Sequence, residues 1–206
     1  MSARPPLRKQ GAPVLLQARA GFRAWWLAIA LTAAVGRELH WPMTSAWTYP
    51  DPWRSRLITP LTEWVLARLA HMYGFTLMPP MPPRVRDVAA RALAVRRVLR
   101  LARTAKPSIA MAPEGMDSPD GRLRPLPEGA GRFIGLLAAA GYILVPVGMY
   151  EEGDVFVLRF GDPFLLQTKE PGARDREAGR IVMGKIGELL PEKLTSPPLP
   201  HPPFPS

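Results

Sequence analysis

Tyr142 to Met149 (YILVPVGM) is apolar at every position, and that run constrains the fold more than any other. A strand that is apolar throughout, rather than at alternate residues, must be covered on both faces, as in a sheet with helices above and below. The rest of the chain supplies candidates for such a sheet. Ala12 to Gln17 (APVLLQ) and Ser108 to Ala112 (SIAMA) are short apolar runs of the same kind. Val155 to Phe160 (VFVLRF) alternates and reads as another strand, with shorter ones at Glu38 to Met43 and Phe75 to Met78. Helical periodicity falls between them. Ala24 to Gly36 is a hydrophobic helix. Ile58 to Tyr73 carries Leu61, Trp64, Val65, Ala67, Leu69 and Met72 at amphipathic spacing and is stopped by Gly74. Asp87 to Ala105 places Val88, Ala92, Val95, Leu99 and Ala102 on one face, with arginines crowding its C-terminal half as the helix dipole favours. Gly129 to Ala140 and Arg174 to Leu190 complete the set. The expectation is a single α/β domain, a mixed, mostly parallel sheet flanked by helices. A basic arm (residues 1–11) precedes the domain (12–195), and a proline-rich tail (196–206) follows it.

Composition removes several chemistries. The chain of 206 residues has no cysteine, which excludes disulfides, thiol catalysis and thiolate metal sites. Its three histidines, His40, His71 and His201, show no metal-ligand spacing. No metal or other cofactor is expected. The formal charge of +10 favours phosphates, acidic lipid headgroups or nucleic acid. Aromatic residues are not interleaved with the basic ones as single-strand binders require, so nucleic acid is not an expected partner. AWWLAIALTAAVG, Ala24 to Gly36, falls short of the roughly 20 apolar residues of a spanning helix. With no signal-peptide pattern at the start, the sequence reads as cytoplasmic, with room for a peripheral place on the inner membrane face.

The chemistry-bearing stretch is residues 108–164. A buried strand runs into Pro113-Glu114-Gly115, placing the Glu114 carboxylate at a strand end, the usual position for functional groups in an α/β sheet. Gly115 permits close backbone approach. Arg122 and Arg124, just beyond, suit a phosphate. Val145-Pro146-Val147-Gly148 sets a proline inside a core run. Proline has no backbone donor, so the strand there must be at an edge, at a bulge or lining a cleft.

These residues resemble the glycerolipid acyltransferase family, the 1-acylglycerol-3-phosphate acyltransferases and their relatives. IAMAPEGMDSPDGRLRPLPEGAGRF is similar to the family's strand, Phe-Pro-Glu-Gly-Thr-Arg-Ser turn, Asp-Gly turn and Gly-Ala helix. LVPVGM resembles its Val-Pro-Val-Gly strand, FGDPF its Phe-Gly-x-Pro, and VMGKIGELLPEKL its closing helix. Order and spacing agree over roughly residues 85–195. The resemblance implies transfer of an acyl group from a thioester carrier, acyl-CoA or acyl carrier protein, to a hydroxyl of a lysophospholipid or glycerol phosphate at an anionic membrane surface. It also implies a catalytic place for Glu114 and substrate contacts from Pro113, Gly115, Met116, Arg122, Arg124, Pro146 and Gly148.

In that family a histidine, held by an aspartate five residues later, deprotonates the acceptor hydroxyl. Here the residues five after the histidines are Ser45, Thr76 and Ser206, so the pair does not exist. If APVLLQ leads to the lost motif, it falls in QARAGFRAW, residues 17–25, which contains neither histidine nor carboxylate. If SAWTYPDPW is its remnant, Ala46 stands for the histidine and Asp51 for the aspartate. The first placement keeps the preceding strand; the second keeps the usual distance to Glu114. Anion-holding positions depart too. Asp117 stands where the family has arginine after Pro-Glu-Gly-Thr, and Glu128 where a base precedes Gly-Ala. GFTLMPP lacks the second motif's arginine unless Arg84 replaces it. Three readings follow: an acyltransferase fold without the activity, a divergent enzyme using His40 or His71 as base, and a basic membrane-surface adaptor.

Overall fold

The computed structural model describes residues 13–20, 24–46, 51–80, 85–115, 122–167 and 174–195; for 17–20, 24–28, 55 and 174 it describes the backbone alone. The expected arm and tail, and Met116, Asp117 and Arg84, lie outside these residues. In chain order the elements are β1 (Pro13–Ala20), α1 (Ala24–Val35), β2 (Leu39–His40), β3 (Pro42–Thr44) and α2 (Pro52–Tyr73), then β4 (Thr76–Met78), α3 (Val88–Thr104) and β5 (Ser108–Met111). They continue with α4 (Ala130–Ala139), β6 (Ile143–Glu152), β7 (Val155–Phe160), α5 (Arg174–Gly187) and α6 (Glu192–Thr195). A single turn of 3-10 helix, Val85–Asp87, leads into α3.

The main sheet has the order β2-β5-β1-β6-β7. Its first four strands are parallel, and β7 returns antiparallel along β6. The protein is therefore a single-domain α/β fold with a mixed, mostly parallel sheet. Alternation along the strands divides its core into two layers. Val14, Leu16, Ile109, Met111, Leu144 and Tyr150 face one side, under Val98 and Ala102 of α3, Phe133, Ile134 and Leu137 of α4, and Val182 and Ile186 of α5. Leu15, Ala110, Val145, Val147 and Met149 face the other, against Leu31 of α1, Leu39 and Trp41. β6 feeds both layers, which is the physical reason that its stretch from Ile143 to Tyr150 carries no charged residue, while Glu151 and Glu152 at its end are exposed.

Pro146 is accommodated by a bulge. Leu144 exchanges both backbone bonds with Phe164, and the Gly161 N–H donates to the Pro146 carbonyl at 2.9 Å. Positions 144 and 146 thus turn their backbone groups toward the β7 side. Between the pairs Val147–Phe160 and Leu144–Phe164 the β7 side has one residue more, in Gly161-Asp162-Pro163. The missing proline donor points at this bulge, and the ladder to β1 stays unbroken.

Three expectations are corrected. Glu38 to Met43 is two strands in two sheets: β2 joins the main sheet, while β3 pairs with β4 in a two-stranded parallel ribbon, with buried Trp41 at the crossover. α2 begins at Pro52, within the segment read as turn-rich, and its inward residues are Thr62 and Leu66. Leu61, Trp64 and Met72, assigned to the core-facing stripe, are 59%, 67% and 61% exposed. In α3 the inward set is Ala94, Val98 and Ala102, with Val95 and Leu99 partly covered, while Val88 and Ala92 face water.

Candidate functional site

The connections of β1 and β5 leave the sheet on opposite faces. From β1 the chain crosses through α1, which lies on the Trp41 side; from β5 it crosses through α4, on the other side, and skips over β1 to reach β6. Neighbouring strands whose connections diverge in this way leave a crevice beyond their carboxyl ends, where α/β folds bind ligands. The last rung between them is Leu16–Met111. Past it β1 continues to Ala20 beside β6 alone, and β5 turns away through Ala112, Pro113, Glu114 and Gly115.

That turn is tight. The Gly115 N–H donates to the Ala112 carbonyl at 3.2 Å, and Gly115 adopts φ +71°, a conformation that costs glycine little and other residues more. Pro113 is buried, and Glu114 is only 5% exposed. A carboxylate taken so far from water at a strand end is a costly placement for a group with a merely solvating role. Pro113, Glu114 and Gly115 therefore lie together in the turn just past the carboxyl end of β5.

The other expected residues divide. Arg122 and Arg124 are half-buried on either side of Leu123, whose N–H donates to the Leu194 carbonyl at 2.9 Å, so this stretch is fastened to α6. Pro146 and Gly148 serve packing. Pro146 sits opposite the bulge, and a Cβ on Gly148 would come within 2.7 Å of the Leu189 Cβ. Gly148 pairs with Ala18 of β1, one strand removed from the β5 turn.

His40 is placed away from Glu114. It pairs with Ile109 on β5, three residues before Ala112 and thus about 10 Å upstream along the strand. Its Nε2 lies 3.0 Å from the Thr76 Oγ1, in the buried start of β4. Burial, and then the nearby Arg97 charge, hold its pKa below the ordinary 6.5. Asp51, which stands for the family's aspartate if SAWTYPDPW is the remnant of the motif, lies 3.4 Å from Arg54. His71 is exposed in the last turn of α2. Ala46, one candidate for the lost histidine position, is buried, and Thr44 Oγ1 donates to its carbonyl at 2.8 Å.

One feature escaped sequence reasoning. Asp175, at the start of α5, accepts from the Gly129 N–H at 2.8 Å and from the Arg132 N–H at 2.7 Å, one bond to each carboxylate oxygen. The α4 N-terminus, which follows a Gly-rich loop and would otherwise attract a phosphate, is thus already filled by a carboxylate. Gly131 is required beneath it, because a Cβ there would collide with the Asp175 backbone carbonyl. A second fixed contact is Tyr142, whose hydroxyl donates to the Pro107 carbonyl at 3.0 Å and whose pKa burial pushes up to about 12. Among the described residues no three His, Asp or Glu side chains gather as metal ligands, and no helix is long and apolar enough to cross a membrane.

No protein-family model matches the chain, and no curated protein resembles it at a significant level.

Proposed function

We propose that this chain is a glycerolipid-acyltransferase-like protein of lipid metabolism that keeps the lipid-binding crevice and is impaired in catalysis. The observation that carries the reading is the buried carboxylate just past the end of β5. Glu114 stands buried at the diverging ends of β1 and β5, and the segment that continues from β1 into α1, residues 17–25, contains no histidine. A glycerol phosphate or lysophospholipid headgroup entering there meets the Pro-Glu-Gly turn, with Arg122 and Arg124 the nearest basic residues in the following sequence. Among the described residues of that turn and of β1 and β5 beside it, no histidine stands ready to take a proton from the acceptor hydroxyl. Loss of a positioned general base lowers rate by about 10²–10⁴. The donor side of the reading is acyl-CoA or acyl carrier protein, and the protein works from the cytoplasmic side at an anionic membrane surface. The divergent-enzyme alternative needs His40 or His71 at the crevice. His40 is engaged with Thr76 on the β4 side, which favours the impaired form.

The test is acyl transfer by purified protein from acyl-CoA and acyl carrier protein donors to lysophosphatidic acid, glycerol phosphate and lyso-glycolipid. The expected result is no turnover above background, with lysophosphatidic acid bound and Glu114→Gln weakening that binding. Turnover above background that Glu114→Gln abolishes would refute the impaired form, and its loss in His40→Ala as well would assign the base to His40. Absence of both turnover and lysolipid binding would refute the family reading.

A further inference from the structure

Helix α2 inverts the usual arrangement of a surface helix. At 3.6 residues per turn, Ile58, Thr62, Leu66 and Leu69 fall on the inward side, and Trp53, Leu57, Leu61, Trp64 and Arg68 fall opposite. The outward aromatic and aliphatic residues are 59%, 70%, 59% and 67% exposed in that order. No described residue of α2 belongs to either core layer. Isolated exposed leucines are ordinary, but four large apolar side chains in one continuous stripe mark a contact surface.

The charges on the helix select the occupant. Its basic side chains are Arg54, Arg56 and Arg68, and its only carboxylate is Glu63, on the flank. Arg68 stands within the stripe, and the Arg54 guanidinium lies 5.2 Å from the Trp53 ring centre. Tryptophans with arginines at the same apolar face, the acids being confined to Asp51 beside Arg54 at the helix start and Glu63 on the flank, fit a helix lying in a lipid headgroup layer. There the rings sit at the acyl boundary and the guanidiniums reach back to phosphates. A second copy of the chain would bring these arginines, and a net +10, against their like. The stripe from Trp53 to Trp64 is about 17 Å of convex helix surface, suited to a deformable plane.

We infer that α2 is the element that docks the protein on an anionic bilayer, lying along the interface with Trp53, Leu57, Leu61 and Trp64 inserted. This deepens the proposed function by naming the surface that meets the membrane, and rests on that reading only for the presence of a membrane partner. The test is flotation with phosphatidylcholine vesicles with and without phosphatidylglycerol, using the wild-type protein, Leu57→Ser/Trp64→Ser and Arg54→Glu/Arg68→Glu. Wild type is expected to float with the anionic vesicles, less so as salt rises. Each double variant should lose roughly tenfold or more in partitioning, with an unchanged melting temperature and unchanged binding of lysophosphatidic acid below its micelle concentration. Wild-type-like flotation of both variants would overturn the inference. So would a lipid-free dimer, seen by sedimentation equilibrium, that Leu57→Ser/Trp64→Ser converts to monomer. Lysolipid binding is read separately, so failure at α2 leaves the crevice assignment standing, and failure at Glu114 leaves α2.

Discussion

Helix α4 turns Phe133, Ile134 and Leu137 onto the sheet and is held at its first turn by the Asp175 carboxylate. Helix α2, more than twice as long, turns Thr62 and Leu66 inward and its tryptophans outward, beneath an Asp51 N-cap that makes no side-chain cap bond. Both are rich in apolar residues, yet only one uses them to hold the domain together. Apolar content thus says that a helix needs a partner, and the fold decides whether that partner is inside the chain or outside it.

The largest test of this contrast is a matched pair of truncations. Ile134→Ala opens a cavity under a fully buried side chain and should cost about 3 kcal/mol in urea unfolding, within the usual range for such losses. Leu61→Ala, the deletion of a comparable side chain on α2, should stay within about 0.5 kcal/mol. A cost near that of Ile134 would mean that α2's outward face is covered within the protein, and the contrast would fall.

Much of the α4 side was legible in the sequence, and most of the α2 side was not. β7 is found at its expected bounds from its alternation, and β1, β5 and β6 are found within a few residues because their stretches covered on both faces are apolar runs. Glu114 was visible as a carboxylate at a strand end for the same reason. The orientation of α2 was hidden because apolar residues occur on both its sides, so periodicity identifies a helix without saying which face is inward. Glu38 to Met43 read as one strand because alternation is blind to a change of partner sheet at Trp41. The contacts of His40 with Thr76, 36 residues away, and of Asp175 with Gly129, 46 away, leave no local pattern at all.

A smaller effect separates the two helices at their N-termini. Asp175→Ala removes both acceptors from the first turn of α4 and should lower stability by about 1–2 kcal/mol. Asp51→Ala at α2 should change it by less than about 0.5 kcal/mol, since its contact is a half-exposed pair with Arg54. Equal losses in urea unfolding would show that the two helix starts are held alike.

The smallest effect is the most selective, because it falls on the joint between the sheet and the ribbon that carries α2. His40 of β2 meets Thr76 of β4, and α2 packs on β4. The folded-state pKa of His40 lies below the unfolded 6.5, through burial and then Arg97. Above 6.5 both states are neutral and the residue contributes no pH dependence. As pH falls through 6.5 the unfolded chain takes the proton first, so stability declines until pH passes below the folded value, where the loss is complete. His40→Gln, which keeps a hydrogen-bonding side chain and cannot titrate, should flatten that part of the stability profile. Hydrogen exchange, corrected for intrinsic rates, should show acidification opening the amides of β4 and α2 ahead of those of α4. If α4 opens equally, or if His40→Gln leaves the profile unchanged, the joint does not isolate α2 from the core.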